Sequence, residues 1–184
     1  VESTLLRRRA GAESDRWRRA YLARQADLYE REERRWCPEV ALNVVVSETD
    51  RVELIRIAPT ARFAVVPSGV DTEFFRPEPG GDDGVVFVGG MDWMPNRDAL
   101  EHFATDIFPR LRRSFPDLPV RFVGRAGDAD LRAFAARGIV LTGHVPDVRP
   151  YVARAACFIV PLRVGGGTRL KILDAWAMGK AVVS

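Results

Sequence analysis

The chain has 184 residues, of which 47% are hydrophobic and 29% are charged. This balance is typical of a globular protein and excludes a disordered chain, and no apolar run approaches the roughly 20 residues that span a bilayer. The formal net charge is only +3 and residues 1–36 carry all of it, so we expect no nucleic-acid partner.

The two cysteines bear on the cellular location and on metal binding, and the two chain ends bear on the extent of the protein. Cys37 and Cys157 show no pairing pattern, and no group of cysteines and histidines has the spacing of metal ligands. We therefore expect a reducing, cytoplasmic location, no metal and no cofactor. The chain begins at Val1 without a signal peptide and ends at Ser184, just after a strand-like run, so both ends are expected to be cuts through a longer protein.

Residues 1–66 contain two strand patterns and one long helix pattern. Residues 15–36 predict a helix that Pro38 ends, with Trp17, Tyr21 and Leu28 at helical spacing among many arginines. Such a stripe packs on a neighbouring domain, which is the commoner case, or lies on a membrane surface. Strands are predicted at 41–46 and 61–66, and Ser47 is expected to cap a short helix between them.

A change of composition at residues 67–83 indicates a connector. Three prolines, three glycines and several acidic residues interrupt the alternation of strands and helices there. We therefore predict a domain boundary, with residues 1–66 and 84–184 in different domains.

Residues 84–184 alternate regularly between short apolar strands and helices. Such alternation predicts parallel βαβ units and an α/β fold with a Rossmann-like, doubly wound sheet. The predicted strands are 84–88, 119–123, 139–142, 156–160 and one beginning at 181, and the predicted helices are 96–113, 128–137, 148–155 and 169–178.

The most informative connection is the one between the last two predicted strands. Gly165, Gly166 and Gly167 lead into a predicted helix whose first turn carries Arg169 and Lys171. Free N–H groups at a helix start attract phosphate, and cations in the first turn oppose the helix dipole unless an anion is bound. We favour an anion site over a flexible turn whose cations face water. No P-loop and no dinucleotide-binding glycine motif is present.

Two further polar residues have alternative interpretations. Asp174, on the same predicted helix, either accepts hydrogen bonds from ribose hydroxyls or pairs with Arg169 or Lys171. His144 follows a predicted strand and either contacts a base or sugar or is an ordinary loop histidine. The two histidines form no convincing catalytic triad, so the catalytic residues are unassigned.

The segments 65–77, 87–90, 140–145 and 160–183 together resemble family 4 glycosyltransferases of the GT-B fold, the glycosyl transferases group 1 type. The segment 65–77 (VVPSGVDTEFFRP) is similar to the interdomain segment of that family, with Ser68 where asparagine is usual. Residues 87–90 resemble the first strand and glycine turn of its donor domain, and residues 140–145 its F-x-G-x-V segment. The segment 160–183 matches its P-x-R-x-G-G-G-T-R-L-K signature most closely, in the version of bacterial sugar transferases that make exopolysaccharides.

The resemblance implies specific roles for residues. Residues 84–184 would be the incomplete C-terminal domain that binds a nucleotide-sugar donor, 67–83 the interdomain linker and 1–66 the end of the N-terminal, acceptor-side Rossmann-like domain. Asp174 replaces the second of two glutamates, while the first falls on Gly166 and is absent. We expect Arg169 and Lys171 to neutralise the diphosphate, with Arg97 a weaker candidate. The predicted donor-binding residues are Gly90, Gly143, His144, Gly165, Gly166, Gly167, Thr168, Arg169, Lys171 and Asp174.

The function that the resemblance implies is transfer of a sugar, with retention, from a nucleotide-diphosphate donor. The expected acceptor is a sugar or a lipid-linked sugar in cell-surface or exopolysaccharide synthesis, with peripheral contact to the inner face of the membrane. We expect the 184-residue chain to be inactive by itself, since the acceptor-side domain is only partly present. The alternatives are a non-catalytic nucleotide-binding or regulatory module and a GT-B nucleotide-sugar epimerase.

Overall fold

The computed structural model of the protein describes residues 1–81, 83–164 and 168–184. The chain divides into two compact units, the first formed by Val1–Ser68 together with Val164 and Thr168, the second by Gly69–Arg163 and Arg169–Ser184. Among the described residues, none of the helices combines the length and the apolar character that a membrane span requires.

Unit 1 begins with a helical hairpin. Its helices are α1 (Glu2–Ala12) and α2 (Arg16–Trp36), and the Asp15 carboxylate caps α2 by accepting from the amides of Trp17 and Arg18. The Glu33 carboxylate accepts from the Ser3 hydroxyl at 2.5 Å and from the Glu2 amide at 3.0 Å, so polar contacts hold the two helices together. The sequence predicts α2 but not α1, because α1 buries only Ser3, Leu6 and Ala10 beside a run of arginines.

The aromatic stripe of α2 is exposed within unit 1. Trp17 is 70% exposed and Tyr21 64% exposed, and Ala26 is the one buried residue described for this helix. Unit 1 therefore leaves most of the surface of these two aromatic side chains uncovered.

The rest of unit 1 is a parallel pair of strands with a helix between them. β1 (Asn43–Val45) pairs with β2 (Phe63–Val65), and α3 (Glu48–Ile57) connects them. The Ser47 hydroxyl accepts from the amide of Asp50 at 3.1 Å, which is the predicted N-cap. A 3₁₀ turn at Cys37–Glu39 leads from α2 towards β1.

Unit 2 is built on a five-stranded parallel sheet. Its strands are β3 (Val85–Val88), β4 (Val120–Val123), β5 (Val140–Leu141), β6 (Cys157–Ile159) and β7 (Ala181–Val183). Their order in the sheet is β5-β4-β3-β6-β7, so the chain reverses direction across the sheet between β5 and β6. This arrangement confirms the predicted α/β, doubly wound fold.

Side chains of unit 2 form one apolar core on each face of the sheet. Phe87 and Phe122 face one core with Leu100 and Phe103, whereas Val86 and Phe158 face the other. Adjacent residues such as Val86 and Phe87 point to opposite faces because side chains alternate along a strand. The helices of unit 2 are α4 (Met94–His102), α5 (Phe108–Ser114), α6 (Asp128–Ala135), α7 (Arg149–Arg154) and α8 (Leu170–Ala177).

The predicted single helix over 96–113 is wrong in detail. A π-helical turn at Phe103–Ile107 separates α4 from α5. Pro109 lacks an amide hydrogen and its ring collides with the carbonyl group four residues earlier, which is sufficient reason for the regular α-helical bonding to stop there.

Candidate functional site

At the carboxyl edge of the unit 2 sheet the chain turns at glycine residues, and we call the turns that follow the strands corners. Gly89 and Gly90 follow β3, Gly124 follows β4 and Gly143 follows β5. Gly124 has φ +143°, and a Cβ atom there would overlap the carbonyl oxygen of Gly89, so a side chain is excluded. Gly124 also forms an isolated β-bridge with Gly143, which ties the corners after β4 and β5 together.

A cavity of about 330 Å³ opens at this edge. Residues from the corners after β3, β4 and β5 line it, which places it beyond the carboxyl ends of the strands, where open parallel sheets bind ligands. Its polar side chains are Asp92, Arg125 and His144, and the Asp92 and Arg125 side chains pair with each other at 3.0 Å. Trp93, 54% exposed, also lines the cavity and offers an aromatic surface.

Lys171 extends over the same edge from α8, which packs on the sheet face that also carries the cavity-lining residues Val123 and Val148. Its helix α8 packs Ala175 and Met178 on the face that carries Val86, whereas the ring of Phe87 belongs to the other face. The Lys171 ammonium nonetheless lies 4.0 Å from the centroid of the Phe87 ring. Its side chain therefore crosses from one face to the other near the switch point between β3 and β6.

Asn96 connects Lys171 to the glycine turn. Its side-chain Oδ1 accepts from Lys171 Nζ at 3.0 Å, and its Nδ2 donates to the carbonyl oxygen of Gly90 at 2.9 Å. Asn96 is only 4% exposed and is one of two buried polar residues in the described part of the chain. A Cβ atom at Gly89 would lie 2.6 Å from Asn96 Nδ2 and 2.9 Å from Lys171 Nζ, so the two side chains pack directly against the turn.

Burial lowers the pKa of Lys171 to about 8, and the positive charge of Arg169 acts in the same direction. Each effect disfavours the charged ammonium, and the Phe87 ring and Asn96 Oδ1 offset them only in part. An anion bound at this edge would reverse the balance, because a neighbouring negative charge favours the protonated amine.

Arg169 precedes Lys171 at the N-cap of α8, and Asp174 follows it within the helix. Arg169 is the residue before the helix, and its guanidinium donates to the Ser184 hydroxyl at 2.7 Å and to the Leu162 carbonyl oxygen at 3.3 Å. Burial raises the pKa of the Asp174 carboxyl group. Of the two cations that the sequence proposed as its partners, neither forms an ion pair with Asp174 in the described part of the chain.

Other arginines near the edge are held by carboxylates. Arg97 donates two hydrogen bonds to Asp130, at 2.6 and 2.8 Å, and Arg163 donates to Asp98 at 2.7 Å. A carboxylate partner already neutralises each of these guanidinium groups. Arg97 therefore has less free charge to offer a diphosphate than Lys171, whose partner Asn96 is neutral.

The structure brings together part of the predicted donor-binding set. Gly90 and His144 line one cavity, Gly143 supports its wall, and Lys171 lies beneath the turn that ends at Gly90. Thr168 is exposed and is grouped with unit 1. The predicted residues Gly165, Gly166 and Gly167 lie outside the residues that the structure describes. Their assignment to donor binding stays a prediction, as it does for the whole set.

Sequence reasoning missed Asn96 and the pair of Asp92 and Arg125. The sequence contains a sign that Asn96 is buried, because this residue shares the helical spacing of Ala99, Leu100 and Phe103, all of which are buried. A polar residue on a buried helix face needs a hydrogen-bond partner, and this position could have been singled out on that ground. The Asp92–Arg125 pair joins two different corners and has no local pattern.

Comparisons with known proteins give a family and a fold. Residues 82–184 match the family described as "Glycosyl transferases group 1". A search of curated protein sequences found no match.

Three solved structures share the fold at low sequence identity. A variant of S. aureus TarM, in complex with fondaparinux, α-GlcNAc-glycerol and UDP, gives a TM-score of 0.66 at 13% identity, covering 86% of this chain and 32% of that one. The pneumococcal O-GlcNAc transferase GtfA, with UDP and GlcNAc, gives 0.65 at 15% identity, covering 85% and 32%. Anabaena HepE, with UDP and glucose, gives 0.62 at 13% identity, covering 84% and 47%. The present chain thus spans from about a third to about half of each of these proteins.

Proposed function

Because the chain belongs to the glycosyl transferases group 1, we propose that unit 2 binds a nucleotide-diphosphate sugar and that the whole protein transfers the sugar to an acceptor. The observation that carries this proposal is the Lys171 ammonium beneath the Gly89–Gly90 turn, beside a cavity at the carboxyl edge of the sheet. A buried cation whose acceptor is a neutral amide is suited to receive an anion.

The diphosphate is the leaving group of such a transfer, and its negative charge increases as the bond to the sugar breaks. Cations fixed in a site of low dielectric constant stabilise that charge more than water does. In the proposed arrangement Lys171 and Arg169 supply this charge, and the backbone amides of residues 165–168 are assigned to the diphosphate by sequence alone. The donor is a substrate, and the proposal includes no metal or further cofactor.

The remaining parts of the donor are assigned to neighbouring residues. The cavity beside His144 would hold the base, and Asp174 would accept hydrogen bonds from the ribose hydroxyls. We propose a uridine nucleotide, because UDP is named in the three structures compared above.

Calorimetric titration of the full chain with UDP, GDP and ADP tests donor binding. We expect UDP to bind most tightly and the double variant Arg169→Ala/Lys171→Ala to lose binding. Arg97→Ala is the matched control: it also removes a cation near the edge, but one already paired with Asp130, so UDP affinity should stay within about twofold. Unchanged affinity in the double variant would refute the assignment of the diphosphate site.

The same panel separates the alternatives. A regulatory module without a nucleotide site would bind none of the three nucleotides, and a non-catalytic nucleotide-binding module would bind a nucleotide but convert no nucleotide sugar. An epimerase would convert a nucleotide sugar without any acceptor, whereas a transferase requires one. Assaying the whole protein with UDP-sugars, with and without acceptor, therefore decides between these classes.

We further propose retention at the anomeric carbon and a sugar or lipid-linked acceptor of cell-surface or exopolysaccharide synthesis. The resemblance of segment 160–183 to bacterial sugar transferases supports both. Proton NMR of the product gives the anomeric configuration, and inversion would contradict the proposal. By itself, the 184-residue chain is expected to bind donor without transferring sugar.

Peripheral contact with the inner face of the membrane is the last part of the proposal. Exposed Trp17 and Tyr21, with the arginines of α2, would provide it. Flotation of the whole protein with anionic vesicles should fail after Trp17→Ala/Tyr21→Ala. Flotation that this variant leaves unchanged would place the membrane contact elsewhere.

A further inference from the structure

Asn96 combines three properties, and a residue that only stabilises its helix would not require all three. It is almost fully buried, its Oδ1 accepts from the Lys171 ammonium, and its Nδ2 donates to the carbonyl oxygen of Gly90. Resting on the proposed function, we propose that Asn96 is the positioning residue that holds the Lys171 ammonium against the Gly89–Gly90 turn for the diphosphate of the donor.

The backbone around this turn leaves little freedom for other arrangements. The amide of Gly89 donates to the Val123 carbonyl oxygen at 2.9 Å, and that of Met91 donates to the Arg125 carbonyl oxygen at 2.7 Å. These bonds fix both sides of the turn to the corner after β4. Through its two hydrogen bonds, Asn96 connects the Lys171 ammonium on α8 to the same fixed backbone.

The chemistry of an amide suits this position better than that of a carboxylate. A neutral Oδ1 holds the ammonium by one hydrogen bond and leaves its positive charge uncompensated. An aspartate would form an ion pair and cancel the charge that the diphosphate needs. An apolar residue would leave the ammonium without its acceptor, so its position would no longer be fixed.

The other charged groups around Lys171 do not replace Asn96. On α8, Arg169 repels the ammonium and Asp174 forms no ion pair with it in the part of the chain that the structure describes. On α4, Arg97 and Asp98 are paired with Asp130 and Arg163, respectively. In the described part of the chain, Asn96 Oδ1 is therefore the acceptor that determines where the ammonium lies.

Two substitutions of Asn96 that are similar in size distinguish a role in positioning the Lys171 ammonium from a purely structural role. Asn96→Asp and Asn96→Leu both remove the donor to Gly90, so any effect through the turn alone is common to both. They differ in what they offer Lys171: a carboxylate raises its pKa, whereas an apolar group lowers it below the present value of about 8. Glu101→Gln, an exposed charge change on the same helix, is the control and should leave the pKa of Lys171 unchanged.

The measurement is favourable because the chain contains only two lysines, Lys171 and Lys180. Selective ¹³C labelling of lysine gives two NMR signals to follow against pH, and Lys171→Arg assigns them. Circular dichroism confirms that each variant folds. We expect shifts of opposite sign for the two Asn96 variants, and UDP affinity reduced about tenfold or more in both.

The outcomes distinguish the two proposals. If the pKa of Lys171 moves in the same direction in both variants, or in neither, Asn96 does not position the ammonium. Variants that bind UDP as tightly as the wild type refute the positioning role as well. If the wild type binds no nucleotide, the proposed function fails, whatever the lysine titration shows.

Discussion

Proton uptake by Lys171 on nucleotide binding is the strongest test of the proposed donor site. The pKa of the lysine is about 8 because its ammonium is buried, with Arg169 as a secondary cause. A bound diphosphate would bring negative charge next to it and should return the pKa towards its ordinary value of 10.5. Binding must then draw a proton from solvent at any pH between these values.

The magnitude follows from the two pKa values. At pH 7 the free site is already about nine-tenths protonated, so binding takes up about 0.1 proton. At pH 9 only about one molecule in ten is protonated, so binding takes up about 0.9 proton. The affinity for UDP should therefore fall about tenfold between pH 7 and pH 9. The terminal phosphate of UDP titrates near pH 6, so it releases at most about 0.1 proton at pH 7 and none at pH 9. The proton uptake at pH 9 is therefore the value that reports on Lys171.

The assay is calorimetric titration of the full chain with UDP in two buffers of different ionisation enthalpy. At pH 9 the apparent binding enthalpies should differ by about nine-tenths of the difference between the buffers, and at pH 7 by about a tenth or less. Lys171→Arg is the matched control, because arginine keeps its charge throughout this range and should bind without proton uptake. Equal enthalpies in both buffers at pH 9 would show that Lys171 does not receive the diphosphate.

Three further predictions concern stability and reactivity. Lys171→Met should raise the free energy of unfolding by about 1–2 kcal/mol at neutral pH while weakening UDP binding. The unfolded chain holds the lysine proton up to about 10.5 and the folded chain only to about 8, so the stability of the wild type should rise with pH across that window. The advantage of the variant should therefore be smaller at pH 10 than at pH 7, as urea titrations at these two values would show. Gly124→Ala should destabilise the chain by about 2 kcal/mol or more in thermal unfolding, because its Cβ would overlap the Gly89 carbonyl at a positive φ. Gly11→Ala, near the C-terminal end of α1, places its Cβ where no atom lies within 4 Å and should be neutral or stabilising. Burial raises the pKa of the Cys157 thiol, so it should react with Ellman's reagent more slowly than free cysteine at pH 7.5, and a faster reaction would show that β6 opens readily.

The sheet of unit 2 could be predicted because its signal is local. The run Val85–Val88 is apolar on both faces, and Val120–Val123 is apolar except for Arg121; such runs are typical of parallel strands covered by helices. Pro109 indicates the break in the helix at Phe103–Ile107. The break was not predicted because the apolar residues on both sides of it keep a continuous helical spacing. Helix α1 could not be recognised by apolar spacing, because Glu33 and other polar partners hold it in place.

The sequence predicted which backbone turns lie at the edge of the sheet, but it did not predict the side-chain contacts of the candidate site. Glycines at the ends of strands indicate where a ligand can approach, and Gly90 and Gly143 do lie at one edge. The hydrogen bond between Asn96 and Lys171 joins residues from distant parts of the sequence, and no local period encodes it. The sequence therefore predicted the charge of Lys171 but not the residue that holds it.

The distance along the chain between Asn96 and Lys171 also has a consequence for biosynthesis. Their separation is 75 residues, and a ribosome adding about 5–20 residues per second needs several seconds to cover it. During that time β3 and α4 can fold, but the cation that completes the edge has not yet been made. We therefore expect nascent chains that end before α8 not to bind nucleotide, so that nucleotide binding reports the synthesis of α8 during translation.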